Sequence, residues 1–341
     1  MATTTIDDIA LAANVSPTTV SNVINGRTNR VSMETLERVN RIINEMGYVP
    51  NMSARALVSQ SSKVVALIHY LSASSGASFD DPFISQLTSA VELSLRESGY
   101  YLMLRTVSGT DELRSFLQNW SVDGLFLMGV FEDDELYNAL FNIDKPIVLC
   151  DSYLSDFGHM SNVGSQDFEG AKLATEHLLS EGHERIAFCS PAYRPHGVDD
   201  KRMQGYREAL NNAGIRYDPS IVFTSEFSKK ETIATGREIA KRSDITAIFA
   251  TADLIAAGIM RGIIESGKKV PKDYSVVGFD DLTWCSLTSP GLTTVRQDST
   301  LKGRLAADLM VDMLENNAEP KSITLPVELI ERESVSVPRT L

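Results

Sequence analysis

Residues 5–26 read TIDDIALAANVSPTTVSNVING, and this stretch decides the fold of the N-terminal segment. A first helix is predicted where apolar residues recur at helical spacing, at Ile6, Ile9, Ala10 and Ala13. Ser16 is a favoured N-cap and Pro17 follows it at the first helical position, so a second helix should begin there. Two short helices around a tight turn predict a helix-turn-helix.

A third helix is expected after Ser32, because apolar residues line one face up to Gly47. The outer face of the second helix carries small, uncharged hydrogen-bonding side chains, namely Thr18, Thr19, Ser21, Asn22 and Asn25. A merely solvated face more often carries Glu and Lys. The pattern therefore favours an all-α headpiece that reads DNA over the alternative, a generic helical bundle.

Charge is distributed unevenly along the chain. The 341 residues carry a formal charge of −13, which excludes a protein coated with basic residues. Residues 1–63 hold six Lys or Arg against five Asp or Glu, so the remaining residues are strongly acidic. Only the N-terminal segment is therefore suited to approach a polyanion.

From Val64 onward, apolar strand-like runs alternate with amphipathic helical stretches. The strands are predicted at 64–68, 101–104, 124–128, 146–150, 185–189, 220–224, 247–250 and 275–279. Continuous apolar strands alternating with helices indicate parallel, doubly wound sheets of the α/β class. Two such halves form two lobes, and a ligand is expected between them, beyond the carboxyl ends of the strands.

Several site types find no support. The histidines show no metal-ligand spacing, and no GxSxG or GxGxxG occurs, so we expect no metal, no cofactor and no catalytic constellation. The three cysteines have no CxxC pairing, which suits a reducing cytoplasm. The N-terminus MATTTIDDIA lacks the features of a secretory signal, and no apolar stretch is long enough for a membrane span. We therefore expect a cytoplasmic protein with no membrane contact.

Residues 5–26, followed by GYVPNMSARALVSQ at 47–60, resemble the headpiece and hinge of the lactose/galactose repressor (LacI/GalR) family of bacterial transcription regulators. The similarity continues in family order through GHERIAF (182–188), RMQGYREAL (202–210), ATADLIAAG (250–258), VPKDYSVVGFDD (270–281) and LTTVRQD (292–298). It implies a helix-turn-helix headpiece at 1–50, a hinge at 51–62, and a two-lobed, periplasmic-binding-protein-like domain for effector binding and dimerisation at 63–341. It also implies three crossings between the lobes, which we place near Ser161, Pro290 and Leu325.

The expected DNA contacts follow from the headpiece. The second helix should enter the major groove and present Pro17, Thr18 and Asn22 to base edges. Phosphate contacts are expected from Ser16, Thr19, Ser21, Asn25 and the backbone near Thr5, and from Arg27 and Arg30 unless these are solvated loop residues. The hinge segment beginning at Asn51 should fold on DNA. By resemblance, Leu57 is a minor-groove wedge with Ala54 beside it and Arg55 near the backbone; the alternative is that Leu57 packs on the body.

The effector site is placed by resemblance, at Phe83, Asp151, Arg202, Phe227, Asp253, Asp280 and Gln297. An arginine with several carboxylates satisfies sugar hydroxyls, and an aromatic ring stacks on a pyranose, so this chemistry favours a saccharide. Two structural alternatives stay open, Asp253 as a helix cap and Phe83 as a core residue. Two positions depart from the family: Ala252 stands where Asn is frequent, and Ser165, followed by Asp167, stands where many members are acidic.

These observations predict a ligand-responsive transcription regulator, a repressor of carbohydrate-use genes that binds palindromic operator DNA. The C-terminal ESVSVPRTL has no leucine heptads, which favours a homodimer over a tetramer. Alternatives for the cleft are a non-sugar metabolite, a partner protein or an enzymatic role. A further alternative function, a solute receptor, would share only the two lobes with this chain and not the helix-turn-helix.

Overall fold

The computed structural model describes residues 4–48, 61–70, 81–192 and 194–339. The chain divides into two compact units, Met1–Ser62 and Lys63–Leu341. The predicted boundary between headpiece and hinge, and the predicted DNA contacts at Asn51, Ala54, Arg55 and Leu57, lie outside the described residues.

The first unit contains three helices: α1 (Ile6–Ala13), α2 (Pro17–Ile24) and α3 (Met33–Glu45). The Ser16 hydroxyl caps α2 by accepting from the Thr19 amide at 3.1 Å, and Pro17 is the first helical residue. All three helices contribute to one small core, which includes Ile9, Val20 and Val39. The helix-turn-helix prediction is confirmed.

The second unit contains two six-stranded sheets. Its strands are β1 (Val64–Tyr70), β2 (Tyr101–Val107), β3 (Gly124–Met128), β4 (Ile147–Cys150), β5 (Met160–Ser165), β6 (Ile186–Ser190), β7 (Val222–Thr224), β8 (Ala247–Ala250), β9 (Ser275–Asp280), β10 (Thr293–Arg296), β11 (Ser322–Leu325) and β12 (Glu328–Ile330). Its helices are α4 (Pro82–Glu97), α5 (Thr110–Asn119), α6 (Glu135–Leu140), α7 (Asp167–Ser180), α8 (Val198–Asn212), α9 (Lys229–Ile239), α10 (Asp253–Glu265) and α11 (Ser299–Asn316).

The first sheet has the order β11-β5-β4-β3-β1-β2, and all its strands are parallel. In its register, Leu67 of β1 lies opposite Leu104 of β2 and Phe126 of β3. The second sheet has the order β12-β10-β9-β8-β6-β7, with only β12 antiparallel to its neighbour. Each sheet is covered on both faces, by α4 and α11 against α5 and α6 in the first lobe, and by α9 and α10 against α7 and α8 in the second. The predicted α/β class is confirmed.

The chain crosses between the lobes three times, but two crossings differ from the predicted positions. Ser161 lies inside β5, and the first crossing comes after it, where β5 gives way to α7 of the second lobe. Pro290 precedes β10, which pairs with β9 of the second sheet, so the second crossing falls instead at Gln297–Asp298, before α11. The third crossing follows Leu325, as predicted.

Candidate functional site

The recognition face of the headpiece is the exposed side of α2. Pro17 and Thr18 are exposed and Asn22 is half-buried. Within residues 4–48, neither Thr18 nor Asn22 makes a side-chain hydrogen bond, so their polar groups are available to an external partner. These residues were predicted to face base edges.

The side chains predicted to hold phosphates are engaged in the ends of α1 and α2. The Thr5 hydroxyl donates to Asp8 Oδ2 at 2.7 Å, and the Asp8 amide donates to the Thr5 hydroxyl oxygen at 3.3 Å as part of a capping box. The Ser16 and Thr19 hydroxyls lie 2.9 Å apart. The Asn25 side chain donates to the Ser21 carbonyl at 2.8 Å. Arg27 and Arg30 are exposed. These residues shape the turn, and phosphate contact remains a prediction for them.

A second candidate site is a cavity of about 240 Å³ between the two lobes of the second unit, which we call the body. Its walls come from the carboxyl ends of strands, as at Tyr70 at the end of β1, Asp151 after β4 and Asp280 at the end of β9. Six of the seven predicted effector residues line it: Phe83, Asp151, Arg202, Phe227, Asp280 and Gln297. The strand ends therefore bring together side chains that are up to 214 positions apart in sequence.

Arg202 forms the polar floor on the side of the second lobe. Its Nε and Nη2 donate to Asp167 Oδ1 at 2.8 and 2.7 Å, and Nη1 donates to the Thr251 carbonyl. The guanidinium carbon lies 3.6 Å from the centroid of the Phe279 ring. Burial lowers the pKa of Arg202, but the carboxylates of Asp167, Asp280 and Asp199 outweigh it, so the pKa is raised and the group stays charged.

The carboxylates around Arg202 outnumber it. Burial raises the pKa of Asp280 well above its usual range, and nearby Asp253 adds to the shift while Arg202 opposes it. Burial also raises the pKa of Asp199, against the charge of Arg202. The floor is therefore rich in carboxyl groups, which accept hydrogen bonds when ionised and both donate and accept when protonated, and this suits a ligand with several hydroxyls.

On the side of the first lobe, a buried ion pair stands behind the wall. The Lys302 Nζ donates to Asp151 Oδ1 at 2.5 Å and to Gln297 Oε1 at 2.8 Å. The Gln297 amide in turn donates to Asp280 Oδ1 at 2.7 Å. Lys302 is fully buried and was not among the predicted site residues.

Aromatic rings form the remaining walls. Phe83 stands at the start of α4, where the Asp81 carboxylate accepts from its amide at 2.8 Å and fixes the first turn. Its ring both lines the cavity and packs against the cores of the two lobes, so Phe83 has a structural role and its contact with an effector stays a prediction. Phe227, Tyr70 and Phe131 also line the cavity. Such faces can stack on a sugar ring.

Asp253 does not line the cavity, which corrects its placement as an effector contact. It is fully buried, and its carboxylate accepts from the Leu282 amide at 2.8 Å, the Thr294 hydroxyl at 2.6 Å and the Cys285 thiol at 3.0 Å. It is also not the helix cap, because Ala252 occupies that position. It thereby holds Leu282 and Cys285, in the segment that follows Asp280 at the end of β9.

Sequence reasoning missed several residues of this site. Asp134 lines the cavity with its side chain 10% exposed, and its Oδ1 accepts from Arg194 at 2.9 Å. Its Oδ2 is buried without a hydrogen-bond partner among the described residues. The sequence did offer one signal for Tyr70 and Phe131. Tyr70 ends β1 and Phe131 follows β3, and ligands bind at the carboxyl ends of such strands.

Two further features bear on function. Among the helices in the described ranges, none combines the length and hydrophobicity needed to cross a bilayer. In the same ranges, no three or more His, Cys, Asp or Glu side chains are grouped to hold a metal ion.

Comparison with known proteins assigns the two units. Residues 5–51 match the family described as bacterial regulatory proteins, lacI family, and residues 175–335 match a periplasmic binding protein-like domain. The HTH-type transcriptional regulator CelR of Thermobifida fusca is 37% identical over 337 residues, which cover 97% of this chain and 98% of that protein. The HTH-type transcriptional regulator DegA of Bacillus subtilis is 31% identical and covers 98% of both chains.

Solved structures agree with this assignment. The complex of transcriptional regulator CelR with cellobiose has a TM-score of 0.72 and 34% identity, covering 97% of this chain and 99% of that chain. A lac repressor dimer bound to operator and the anti-inducer ONPF has a TM-score of 0.85 and 26% identity, covering 98% and 100%. These relatives are transcription regulators, not enzymes. On its headpiece, its two lobes and its identity to CelR along nearly its whole length, this chain belongs to the lacI family of bacterial regulatory proteins.

Proposed function

We propose that this protein is a sugar-responsive repressor of carbohydrate-use genes, which binds a near-palindromic operator as a homodimer in the cytoplasm. The observation that carries the proposal is the cavity between the lobes. It combines a charged arginine, several carboxylate acceptors and four aromatic rings. Acceptors and ring faces are the groups that recognise the hydroxyls and the apolar faces of a saccharide. The same chain carries a helix-turn-helix, which links this ligand chemistry to DNA.

The relatives support both halves of the proposal. CelR is described in complex with cellobiose, and the lac repressor is described as a dimer on its operator. By analogy, we infer that α2 enters the major groove, with Pro17, Thr18 and Asn22 at base edges and the side chains around it near phosphates. We propose Phe83, Asp151, Arg202, Phe227, Asp280 and Gln297 as effector contacts, and we leave out Asp253.

The proposal is tested with the purified full-length chain. A preferred operator is first selected from duplexes with randomised half-sites, and its binding is followed by fluorescence anisotropy. A panel containing cellobiose, lactose, maltose, glucose, galactose and ribose is then titrated into the complex. We expect a palindromic consensus and a change in operator affinity with at least one sugar.

A control variant separates sugar recognition from operator binding. Phe227→Ala should bind the operator like the wild type and respond less to the sugar, since Phe227 lines the cavity, packs against the core of the second lobe and lies outside the headpiece. A chain that shows no sequence preference contradicts the DNA half of the proposal. A chain that binds its operator but responds to no sugar contradicts the saccharide half and leaves a non-sugar metabolite or a partner protein.

A further inference from the structure

Lys302 is the one fully buried lysine in the described part of the chain, and the proposed contacts do not use it. It lies on α11, in the first lobe, shortly after the second crossing. Two of its three N–H groups reach Asp151 and Gln297, at 2.5 and 2.8 Å. Its ammonium lies 5.1 Å from the centroid of the Phe83 ring. Lys302 itself does not line the cavity, so it acts only through these neighbours.

Stability does not explain this buried charge. Removing two ions from water costs several kcal/mol for each, and an apolar residue of similar volume in place of a buried pair is often neutral or stabilising. The surroundings of α11 are apolar, with Ala306, Leu309 and Met310 in the core of the first lobe. A methionine at this position would therefore pack. A buried ion pair directly behind a binding cavity points to a function in that cavity.

The pair prepares Asp151 as an acceptor. Asp151 follows β4 with a φ of 53°, a left-handed conformation that a non-glycine residue seldom adopts without reason. Its Oδ1 is taken by Lys302, and its Oδ2 makes no hydrogen bond with any described residue. Burial raises the pKa of Asp151, and Lys302 opposes this shift. The other charges facing it are Asp167, which also raises the pKa, and Arg202, which lowers it.

The same ammonium orients the amide of Gln297. Because Oε1 accepts from Lys302 and, at 3.1 Å, from the Ser165 hydroxyl, the Nε2 group must point away from both. Nε2 donates to Asp280 Oδ1 at 2.7 Å. A continuous chain of contacts therefore runs from Asp151 in the first lobe through Lys302 and Gln297 to Asp280 in the second.

We propose that Lys302 is a positioning residue of the effector site, which holds Asp151 as an ionised acceptor and Gln297 in the orientation that fixes Asp280. The inference rests on the proposed function, in that a saccharide is the ligand of the cavity. The inference also specifies which hydrogen bonds that ligand makes. One hydroxyl must donate to Asp151 Oδ2 from the side of the first lobe while another engages Asp280.

The experiment uses the full-length chain and the sugar of the panel that raises its melting temperature most. Calorimetry then measures the affinity of that sugar for the wild type, Lys302→Met, Asp151→Asn and the double variant. Leu309→Met, a conservative core change on the same helix, is the matched control. We expect Lys302→Met to bind the sugar at least about tenfold more weakly, as for loss of a hydrogen bond to a charged acceptor. Because this change leaves the buried carboxylate of Asp151 without its partner, the melting temperature of Lys302→Met should fall below that of the control, and the double variant, which removes both charges, should recover most of the loss.

A pH profile separates positioning from a purely structural role. Wild-type affinity should change less between about pH 5.5 and about pH 8 than that of Lys302→Met, since Lys302 favours the ionised form of Asp151 and the titration of Asp280 is common to both proteins. In Lys302→Met, Asp151 takes up a proton more easily, so affinity should fall as the pH falls. The double variant should bind no more weakly than Asp151→Asn alone and should lose this pH dependence.

The outcomes are distinguishable. If Lys302→Met binds the sugar with wild-type affinity and with the wild-type pH profile, the inference alone is overturned. A Lys302→Met protein that melts far below the control and is not restored in the double variant also overturns it, because Lys302 is then part of the folding core. A wild type that binds no sugar of the panel refutes the proposed saccharide function and the inference together.

Discussion

Removal of Arg202 should destabilise the body as well as disturb the cavity. The side chain of Arg202 is 7% exposed and that of Asp167 is 1% exposed, so Arg202→Ala leaves a carboxylate in the interior with the Tyr153 hydroxyl, at 2.5 Å, as its remaining side-chain donor among the described residues. Breaking one side of a buried pair costs about 3–5 kcal/mol. At about 2–4 °C per kcal/mol for a domain of this size, the melting temperature should fall by about 10 °C.

The second half of this prediction separates charge from packing. Arg202→Met with Asp167→Asn removes both charges and keeps an acceptor for the Tyr153 hydroxyl, so most of the lost stability should return. The response to the sugar should not return, because the guanidinium is absent. Urea unfolding followed by tryptophan fluorescence measures the change, since Trp284 packs against the core of the second lobe. Arg202→Ala that unfolds at the wild-type urea concentration would refute the described burial of this pair.

Three further predictions concern other parts of the chain. Asn22→Ala should relax the preference at one base pair in each half-site by about 1–3 kcal/mol in a selection from randomised sites, whereas a uniform loss of affinity would make Asn22 a phosphate contact. Burial raises the pKa of Asp253 to about 6 from 3.8, so the folded state keeps a proton that the unfolded state releases, and this contribution to the free energy of unfolding is lost as the pH rises through that window. The difference in free energy of unfolding between wild type and Asp253→Asn should therefore change by about 2 kcal/mol between about pH 4 and about pH 7, to the disadvantage of the wild type. A constant difference would contradict the shift. Gly205→Ala should lower the free energy of unfolding by about 1–3 kcal/mol, because its Cβ would lie 2.1 Å from the Phe168 carbonyl oxygen. Gly109→Ala is the control: its Cβ would have no heavy atom within 4 Å, so this variant should unfold like the wild type.

Much of the fold could be predicted from local sequence signals. Ser16 and Pro17 begin α2 in the structure, and Asp81 caps α4 just before Phe83. These features depend on a few consecutive residues whose hydrogen bonds close within one helical turn. The same is true of most strands, since a continuous apolar run between turn residues is visible in the sequence alone.

The errors lie where distant segments decide the outcome. The strand β10 is only four residues long, and its pairing with β9 moves the second crossing from Pro290 to Gln297. Asp253 satisfies its carboxylate through groups 29 to 41 positions away, which no local rule for a helix cap can anticipate. Lys302 meets Asp151 across 151 positions. A lysine inside a helix is otherwise read as a solvated residue.

The last two strands have a consequence for biosynthesis. β11 completes the edge of the first sheet and β12 that of the second, and α11 covers the first sheet although β1–β5 of that sheet lie far upstream. While the ribosome is still translating the second lobe, the emerging first lobe has neither its last strand nor one of its covering helices. Its apolar face, with Val91 and Val148, is then open to water or to chaperones. Neither lobe can reach its final packing until β11 and β12 have been made, so the two lobes are expected to complete their folding together.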